Sequence, residues 1–323
     1  MSGVMVLVEH RQGAIRDVTF EMLTAGRKLA GELGGDCEAV LLGDGCDAMV
    51  PQLVTQADRV VYGAGAAFAG FSYEPYQKAL VKLVSERKPT VVLVAHTAFG
   101  TDLGPSLAVA LNCGLVSDAV AFSKADAGLV VTRGMYAGKL SADWALKAEP
   151  AVLMVRQTSF KPETASLAGQ VVKWDPGDVM AGNKTKFISI EEVPTTGIDI
   201  TKATIVVGIG RGLKEAKNLS LVQEFAKDIG AVMAASRPVV DAGWLPKEVQ
   251  VGSSGKTIKP KLYIALGISG AFQHIAGMKG ADTIIAVNKD PRAPIFSVAH
   301  YGIVDDLLKV IPVLRARIKE LRS

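Results

Sequence analysis

The stretch from Pro260 to Leu308 constrains the fold more strongly than any other part of this chain. The apolar run from Leu262 to Leu266 predicts a strand. The GISG turn after it precedes a helix start, which offers free N–H groups to a phosphate. A second predicted strand, Thr283 to Val287, ends in the polar sequence NKDP, and a further strand and an acidic helix start follow. Because open α/β sheets bind ligands at the carboxyl ends of their strands, this pattern predicts a nucleotide pocket.

Length and pattern together predict two α/β domains. At roughly 150 residues per domain, the 323 residues of the chain divide into two. In the first half, buried strands such as Thr90 to Ala95 alternate with helices such as Asp17 to Leu33, for which Asp17 is the expected N-cap. A later helix is expected to be capped by Asp102. We place the domains at residues 1–195 and 203–323, with a crossing segment over 158–201 whose one convincing strand is Lys186 to Ile190.

Composition excludes several classes of protein. The net charge of +4 comes from 36 basic and 32 acidic residues, a balance too even to indicate binding of nucleic acid. The three cysteines form no CxxC pair, so no zinc site or four-cysteine iron–sulfur cluster is expected. Their small number fits a reducing, cytoplasmic compartment. No apolar run reaches the ~20 residues of a membrane span, and the N-terminal sequence lacks the pattern of a signal peptide. We therefore expect no direct membrane insertion.

Several long motifs resemble those of one family. The block LYIALGISGAFQHIAGMKGADTIIAVNKDPRAPIF and the following YGIVDDL resemble the FAD-binding motif of the electron transfer flavoprotein α subunit. GRGLK at Gly210 to Lys214 and ASRPVVDAGWLP at Ala235 to Pro246 also match, as do AFGTDLGP and RGMYAGKL in the first half. The resemblance implies an N-terminal adenine-nucleotide-hydrolase-like domain that has lost its own nucleotide site. It also implies a C-terminal Rossmann-like FAD-binding domain with a mostly parallel sheet.

The same resemblance implies a set of FAD contacts at strand ends and in polar turns. Arg237 would lie beside the flavin ring and favour anionic reduced flavin, Ser254 would hydrogen-bond N5 of the ring, and His274 would stabilise negative charge at the pyrimidine oxygen. The ordinary alternatives are a surface arginine, a flexible loop and a satisfied histidine. The residues expected to contact FAD are Arg211, Ser236, Arg237, Gln250, Val251, Gly252, Ser253, Ser254, Ser269, Gly270, Ala271, Phe272, Gln273, His274, Asn288, Asp306 and Leu307.

Other functions have weaker support in the sequence. The glycine loop from Gly208 to Gly212 follows a predicted strand, but its GxGxG spacing differs from the GxGxxG of dinucleotide-binding enzymes. No GxSxG motif or Cys/His arrangement indicates a nucleophile, so no catalytic residue is expected. A stand-alone NAD-dependent enzyme and a purely structural subunit that binds an adenine nucleotide are the rival interpretations.

The function implied by the resemblance is that of an electron carrier. The chain would pair with an electron transfer flavoprotein β subunit in a heterodimer, take electrons from dehydrogenases and pass them to a quinone oxidoreductase or another acceptor. Some members of the family instead bifurcate electrons from NADH between ferredoxin and a second acceptor, with a second FAD in the β subunit. The sequence leaves this alternative open. His300 departs from the mitochondrial-type members, in which Asp is common at that place.

Overall fold

The computed structural model describes residues 3–125, 128–136, 140–191 and 199–322. It divides into two compact units, Met1–Glu191 and Glu192–Ser323. Over the described ranges the first unit contains a nine-stranded sheet and a small two-stranded one, and the second contains a five-stranded sheet. Each large sheet carries helices on its faces, so the predicted α/β fold class is confirmed.

The first unit is built on a mostly parallel sheet. Its strand order is β11-β5-β4-β1-β6-β10-β7-β8-β9, and the last two pairings, which involve β7, β8 and β9, are antiparallel. The strands are β1 (Val4–Leu7), β2 (His10–Arg11), β3 (Ala14–Ile15), β4 (Cys37–Gly43), β5 (Arg59–Ala64), β6 (Val91–Ala95), β7 (Gly114–Ala125), β8 (Gly128–Met135), β9 (Leu140–Leu146), β10 (Ala151–Val155) and β11 (Gln170–Trp174).

Helices cover both faces of this sheet. Alternate residues of the central strands point to opposite faces, so Val6 packs in one apolar cluster with Leu23 of α1 while Met5 packs in another with Leu80 of α3 and Leu103 of α4. Burial on both faces explains why these strands read as continuous apolar runs. The helices are α1 (Asp17–Leu33), α2 (Val50–Val54), α3 (Tyr73–Arg87) and α4 (Ala98–Ala110).

Both predicted caps in the first unit are wrong. Arg16 occupies the N-cap position of α1, so Asp17 is the first helical residue, where its carboxylate still favours the helix dipole. In α4 the Thr97 hydroxyl accepts the Gly100 N–H at 3.1 Å and caps the helix, which places Asp102 inside it. The sequence does not indicate this cap, because the alanine and phenylalanine after the threonine give no polar helix-start signal.

Of the segment predicted to cross between the domains, residues 158–191 belong to the first unit, and residues 192–198 lie outside the described ranges. β11 lies within it and pairs in parallel with β5 at the edge of the sheet, whereas Lys186 to Ile190 forms no strand. The Glu74 carboxylate of α3 accepts hydrogen bonds from the backbone N–H groups of Lys184 and Thr185, at 2.8 to 3.1 Å, and so ties this stretch to the helix. A side chain distant in sequence therefore decides the conformation here.

The second unit is an open, fully parallel sheet. Its strand order is β13-β12-β14-β15-β16, and every one of its ladders is parallel. Numbered within this unit, the order is that of a flavodoxin-like doubly wound sheet, which reverses direction between its first and third strands. The elements are β12 (Ile205–Ile209), α5 (Leu219–Asp228), β13 (Val232–Ala235), α6 (Arg237–Asp241), β14 (Leu262–Leu266), α7 (Phe272–Met278), β15 (Thr283–Asn288), β16 (Tyr301–Val304) and α8 (Leu307–Arg322).

The two faces of this sheet again carry separate apolar clusters. Leu266 packs with Phe225 of α5 and Ile311 of α8, and Tyr263 packs on the opposite face with Met278 of α7.

None of the helices in the described ranges combines the length and apolar character needed to cross a membrane.

Candidate functional site

The carboxyl ends of the five strands of the second unit meet at one edge of the sheet, since all their pairings are parallel. Strand order reverses between β12 and β14, and their exit loops are joined by hydrogen bonds from Gly210 N to Leu266 O at 2.9 Å and from Gly212 N to Gly267 O at 3.0 Å. A crevice of this kind is where doubly wound sheets bind nucleotides. The strand ends therefore mark the candidate site.

The glycines of these loops have a packing role that the sequence did not reveal. Gly267 has a φ of +64°, and a Cβ added to it would lie 2.8 Å from the Cα of Gly212. A Cβ added to Gly270, whose φ is +83°, would lie 2.2 Å from the backbone nitrogen of Ile295. These glycines let segments of the protein backbone approach one another, which sets the positions of the loops at the site.

The turn between β14 and α7 presents unpaired amide groups. The N–H groups of Ser269, Gly270 and Ala271 donate to no residue in the described ranges. The turn itself is held by bonds from Ile295 N to Ser269 O at 3.1 Å and from Asn288 Nδ2 to Ile268 O at 2.8 Å. Consecutive amide donors beside a helix start suit a phosphate or another anion.

The turn over residues 250–254 packs against the same helix. Ser253 N donates to Gln273 O at 2.8 Å, and the exposed Ser254 accepts a hydrogen bond on Oγ from Gln250 Nε2 at 2.9 Å. Gln250 is only 4% exposed. Because the Ser254 oxygen is engaged as an acceptor, its own O–H proton remains available for an acceptor on a ligand.

His274 lies in the first turn of α7 and is 6% exposed. Its Nε2 lies 2.9 Å from the hydroxyl oxygen of Tyr263, and its Nδ1 is buried without a hydrogen-bond partner in the described part of the chain. Burial lowers the pKa of His274 to about 4, and the Val251 carbonyl partly offsets this effect. The imidazole is therefore neutral at pH 7. Tyr263 was not among the predicted site residues, although a buried tyrosine hydroxyl needs a partner.

Two arginines lie at the carboxyl ends of β12 and β13. Arg211 follows β12 and is exposed. Arg237 follows β13; its side chain is 70% exposed and lies 3.4 Å from the Asp241 carboxylate in an ion pair along α6. Between β13 and α6, Ser236 is 6% exposed and its N–H donates to Ile209 O at 2.9 Å. This side of the edge thus carries positive charge near solvent.

Asp306, at the start of α8, joins two lysines that were missing from the predicted set. Its Oδ2 lies 2.8 Å from Lys289 Nζ and 3.2 Å from Lys214 Nζ. The hydrogen bond from Lys289, helped by Leu308 N–H and Lys214, holds the pKa of Asp306 well below its usual range. Lys214 and Lys289 each follow a strand end, which is the signal that could have identified them.

The structure therefore brings the predicted residues to one edge of one sheet. At the start of α7, Phe272 is half-buried and Gln273 is exposed, and Leu307, the first residue of α8, is buried. His300 lies away from this edge, where its Nδ1 accepts Ile284 N–H at 2.9 Å and its own N–H donates to Ile284 O at 2.8 Å. It thereby extends the pairing of β15 with β16. That each residue of the set contacts a ligand stays a prediction.

No group of three or more His, Cys, Asp or Glu side chains within the described residues is arranged to hold a metal ion. The site instead combines an open parallel sheet, unpaired amides at a strand–helix turn and exposed cations. Together these features define a nucleotide-binding protein of the doubly wound α/β class.

Comparison with known sequences gives the family. Residues 4–179 match the family described as "Electron transfer flavoprotein domain", and residues 199–279 match "Electron transfer flavoprotein FAD-binding domain". The chain belongs to the electron transfer flavoprotein family, as an α-type subunit that carries electrons and has an FAD-binding domain.

Full-length relatives agree with this assignment. The chain is 39% identical to the electron transfer flavoprotein subunit alpha of Syntrophomonas wolfei over 99% of this chain and 100% of that protein. It is 35% identical to the subunit of the same name in Bacillus subtilis, over 98% of each chain. It is also 36% identical to the lactate dehydrogenase (NAD(+),ferredoxin) subunit LctC of Acetobacterium woodii, over 98% of this chain and 77% of that protein.

The residues at the strand ends fit FAD. The three unpaired amides of the 269–271 turn suit its pyrophosphate, and the unpaired Nδ1 of His274 and the free O–H proton of Ser254 suit polar atoms of its ring system. Both kinds of donor lie in the second unit, within residues 199–279, which match the FAD-binding domain.

Proposed function

We propose that this chain is the FAD-holding subunit of a heterodimeric electron carrier, which accepts electrons from dehydrogenases and delivers them to a quinone oxidoreductase or another acceptor. The observation that supports this most directly is the row of unpaired amides at Ser269, Gly270 and Ala271, at the edge where the parallel strands of the FAD-binding domain end. The partner would be the β subunit that the name of the alpha-subunit relatives implies.

Bound FAD would supply the redox chemistry, since none of the protein groups at this edge transfers electrons. The chain's own groups would hold the cofactor and set the electrostatics. The 269–271 amides would bind the pyrophosphate, and the Ser254 hydroxyl and His274 Nδ1 would donate to the ring. Arg211, with Ser236, Val251, Gly252, Ser253, Asn288 and Leu307, would complete the contacts along the edge. The exposed Arg237 would add positive charge that favours a negatively charged reduced cofactor.

The test is to purify the chain together with its partner subunit and record the visible absorption spectrum and the FAD content. We expect a yellow complex with FAD bound, which is bleached by a dehydrogenase and its substrate and regains colour when a quinone acceptor is added. A colourless complex that retains only an adenine nucleotide would reject the proposal.

A second candidate is electron bifurcation, favoured by the similarity to a subunit of an NAD(+),ferredoxin lactate dehydrogenase. This role needs a second FAD in the assembly, so the FAD content of the purified heterodimer separates the two functions. One FAD per heterodimer supports simple transfer, whereas two FAD per heterodimer support bifurcation.

We also propose a cytoplasmic location. Cys37, Cys46 and Cys113 are free thiols. Burial raises the pKa of the Cys37 thiol to about 12, which keeps it protonated and unreactive. Recovery of the protein in the cytoplasmic fraction of its native cells is the direct check.

A further inference from the structure

Tyr263 and His274 form an isolated polar pair inside the second unit. Tyr263 is fully buried in β14, its hydroxyl oxygen lies 2.9 Å from His274 Nε2, and the two ring centroids are 6.1 Å apart. The neighbouring strand has Gly208 at this point, and a Cβ added there would lie 1.9 Å from the Tyr263 hydroxyl oxygen. The fold therefore provides space for this hydroxyl, although a phenylalanine would satisfy the apolar core alone.

The protons of the pair can be assigned by counting donors and acceptors. Burial raises the pKa of Tyr263 and lowers that of His274 to about 4, so at pH 7 the phenol keeps its proton and the imidazole carries one. If Tyr263 O–H donates to Nε2, the ring proton is on Nδ1 and that one donor is unpaired. If Nε2–H donates to the phenol oxygen instead, the phenol proton and the Nδ1 lone pair are both unpaired.

The first arrangement is favoured because each unpaired buried group costs about 1–3 kcal/mol. The Val251 carbonyl raises the pKa of His274 and so offsets part of the effect of burial, but this does not by itself distinguish the two tautomers. The result is a neutral histidine with a defined tautomer, whose Nδ1 makes no hydrogen bond of standard geometry with the described part of the chain.

We propose that Tyr263 is a positioning residue for the FAD site: its hydroxyl donates to His274 Nε2 and so presents Nδ1–H as a donor to an acceptor atom of bound FAD. This inference rests on the proposed function for its ligand, but the tautomer itself is a property of the folded chain. His274 is in the first turn of α7, directly after the unpaired amides of the 269–271 turn. Its place in the chain therefore puts His274 next to the amides of the proposed FAD site.

The tautomer can be measured directly by NMR. The chain is labelled with ¹⁵N-histidine, purified with its unlabelled partner subunit, and studied by long-range ¹H–¹⁵N correlation at neutral pH, with FAD bound and after its removal. The chain has four histidines, so the His274 signals are assigned from their loss in His274→Gln. We expect a protonated Nδ1 and an unprotonated Nε2 in both samples. Protonation on Nε2 would overturn the proposal without any need for a Tyr263 variant.

The second measurement uses Tyr263→Phe, which removes the hydroxyl and keeps the ring. We expect His274 to lose its single tautomer and the dissociation constant for FAD to rise about fivefold to tenfold, as for the loss of one oriented hydrogen bond. The matched control is Tyr76→Phe, which removes an equally buried hydroxyl, bonded to Leu42 O at 3.1 Å, from the first unit. The control should change neither the His274 signals nor the affinity for FAD.

Two results separate this inference from the proposed function. If Tyr263→Phe leaves the His274 tautomer unchanged, Tyr263 does not position the ring and the inference is wrong, whether or not FAD binds. If the complex binds no FAD but the tautomer is as expected and depends on Tyr263, the assigned ligand is wrong, and with it both the proposed function and the FAD part of the inference.

Discussion

At the scale of single residues, His274 shows how burial defines the chemistry of the site. Its pKa is lowered to about 4 because the charged ring would be held away from water, with Tyr263 on one nitrogen and no described partner on the other. A neutral ring at physiological pH can donate one hydrogen bond but contributes no positive charge. At this edge of the sheet, positive charge is supplied instead by exposed groups such as Arg237.

The buried histidine makes stability depend on pH. Its pKa is about 6.5 in the unfolded chain and about 4 in the folded one, so the unfolded state binds more protons between these values. Stability from this group is therefore fully present above about pH 6.5 and falls as the pH decreases to about 4, by on the order of 3 kcal/mol. Urea unfolding of the complex at several pH values should give this slope, and His274→Gln should flatten it. An equally steep slope in the variant would contradict this account.

Arg237 should influence the cofactor through its charge. We expect Arg237→Ala to lower the flavin reduction potential, because a positive charge nearby stabilises the anionic reduced form. Since the Arg237 side chain is exposed, solvent screens its charge and reduces the size of this effect. Lys227→Ala, which removes an exposed charge from the end of α5, is the control and should leave the potential unchanged. The measurement is a redox titration of both variant complexes and the wild type, each loaded with FAD. Equal potentials in Arg237→Ala and the wild type would show that Arg237 does not lie near the flavin ring.

At the scale of elements, the carboxyl ends of β12 and β14 are locked together by backbone contacts. Gly210 and Gly212 donate hydrogen bonds to Leu266 O and Gly267 O, and the Cα atoms of Gly212 and Gly267 leave no room for a side chain between them. These backbone contacts fix the distance between the loop that carries Arg211 and the turn that leads to α7. Packing within the protein thus prepares the site before any ligand binds.

Two alanine substitutions separate the stability cost of disturbing this packing from the cost of a left-handed backbone conformation. Gly267 and Gly230 have nearly the same φ, +64° and +66°, but an added Cβ meets the Gly212 Cα at 2.8 Å in the first case and nothing within 4 Å in the second. Gly230→Ala should cost about 1–2 kcal/mol, the penalty of a left-handed conformation. Gly267→Ala should cost a further ~1–3 kcal/mol from overpacking and should weaken FAD binding. Equal losses in urea unfolding would show that the loops are not packed as described.

At the scale of the whole molecule, the chain consists of two compact units with separate sheets. The first has a fully formed core on both faces of its sheet, while all predicted FAD contacts lie in the second. The cofactor should therefore depend on the second unit for every contact that this chain supplies.

A fragment of residues 1–191 tests this division. We expect it to fold, with a cooperative thermal transition and an α/β circular dichroism spectrum, and to bind no FAD, because none of the unpaired amides is in it. The full-length chain with its partner subunit is the positive control. Flavin absorbance that co-purifies with the folded fragment would contradict the assignment of the site to the second unit.

The sequence alone determined the local features of this protein. Apolar runs such as Leu262 to Leu266 identified the buried parallel strands, because a strand covered on both faces must be apolar throughout. The polar residues after those runs identified the candidate site, since parallel strands bring their carboxyl ends to one edge. The resemblance of the motifs to one family identified the cofactor.

Only the tertiary structure decided the features that depend on distant pairs of residues. The edge strand β11 forms through its pairing with β5. The Glu74 carboxylate accepts a hydrogen bond from the backbone of Lys184, and Asp306 forms ion pairs with lysines from two other loops. The proton of His274 is likewise assigned by Tyr263, which a neighbouring part of the sheet accommodates. Local sequence cannot specify such features, because the partners are brought together only when the strands pair and the faces of the sheet are covered.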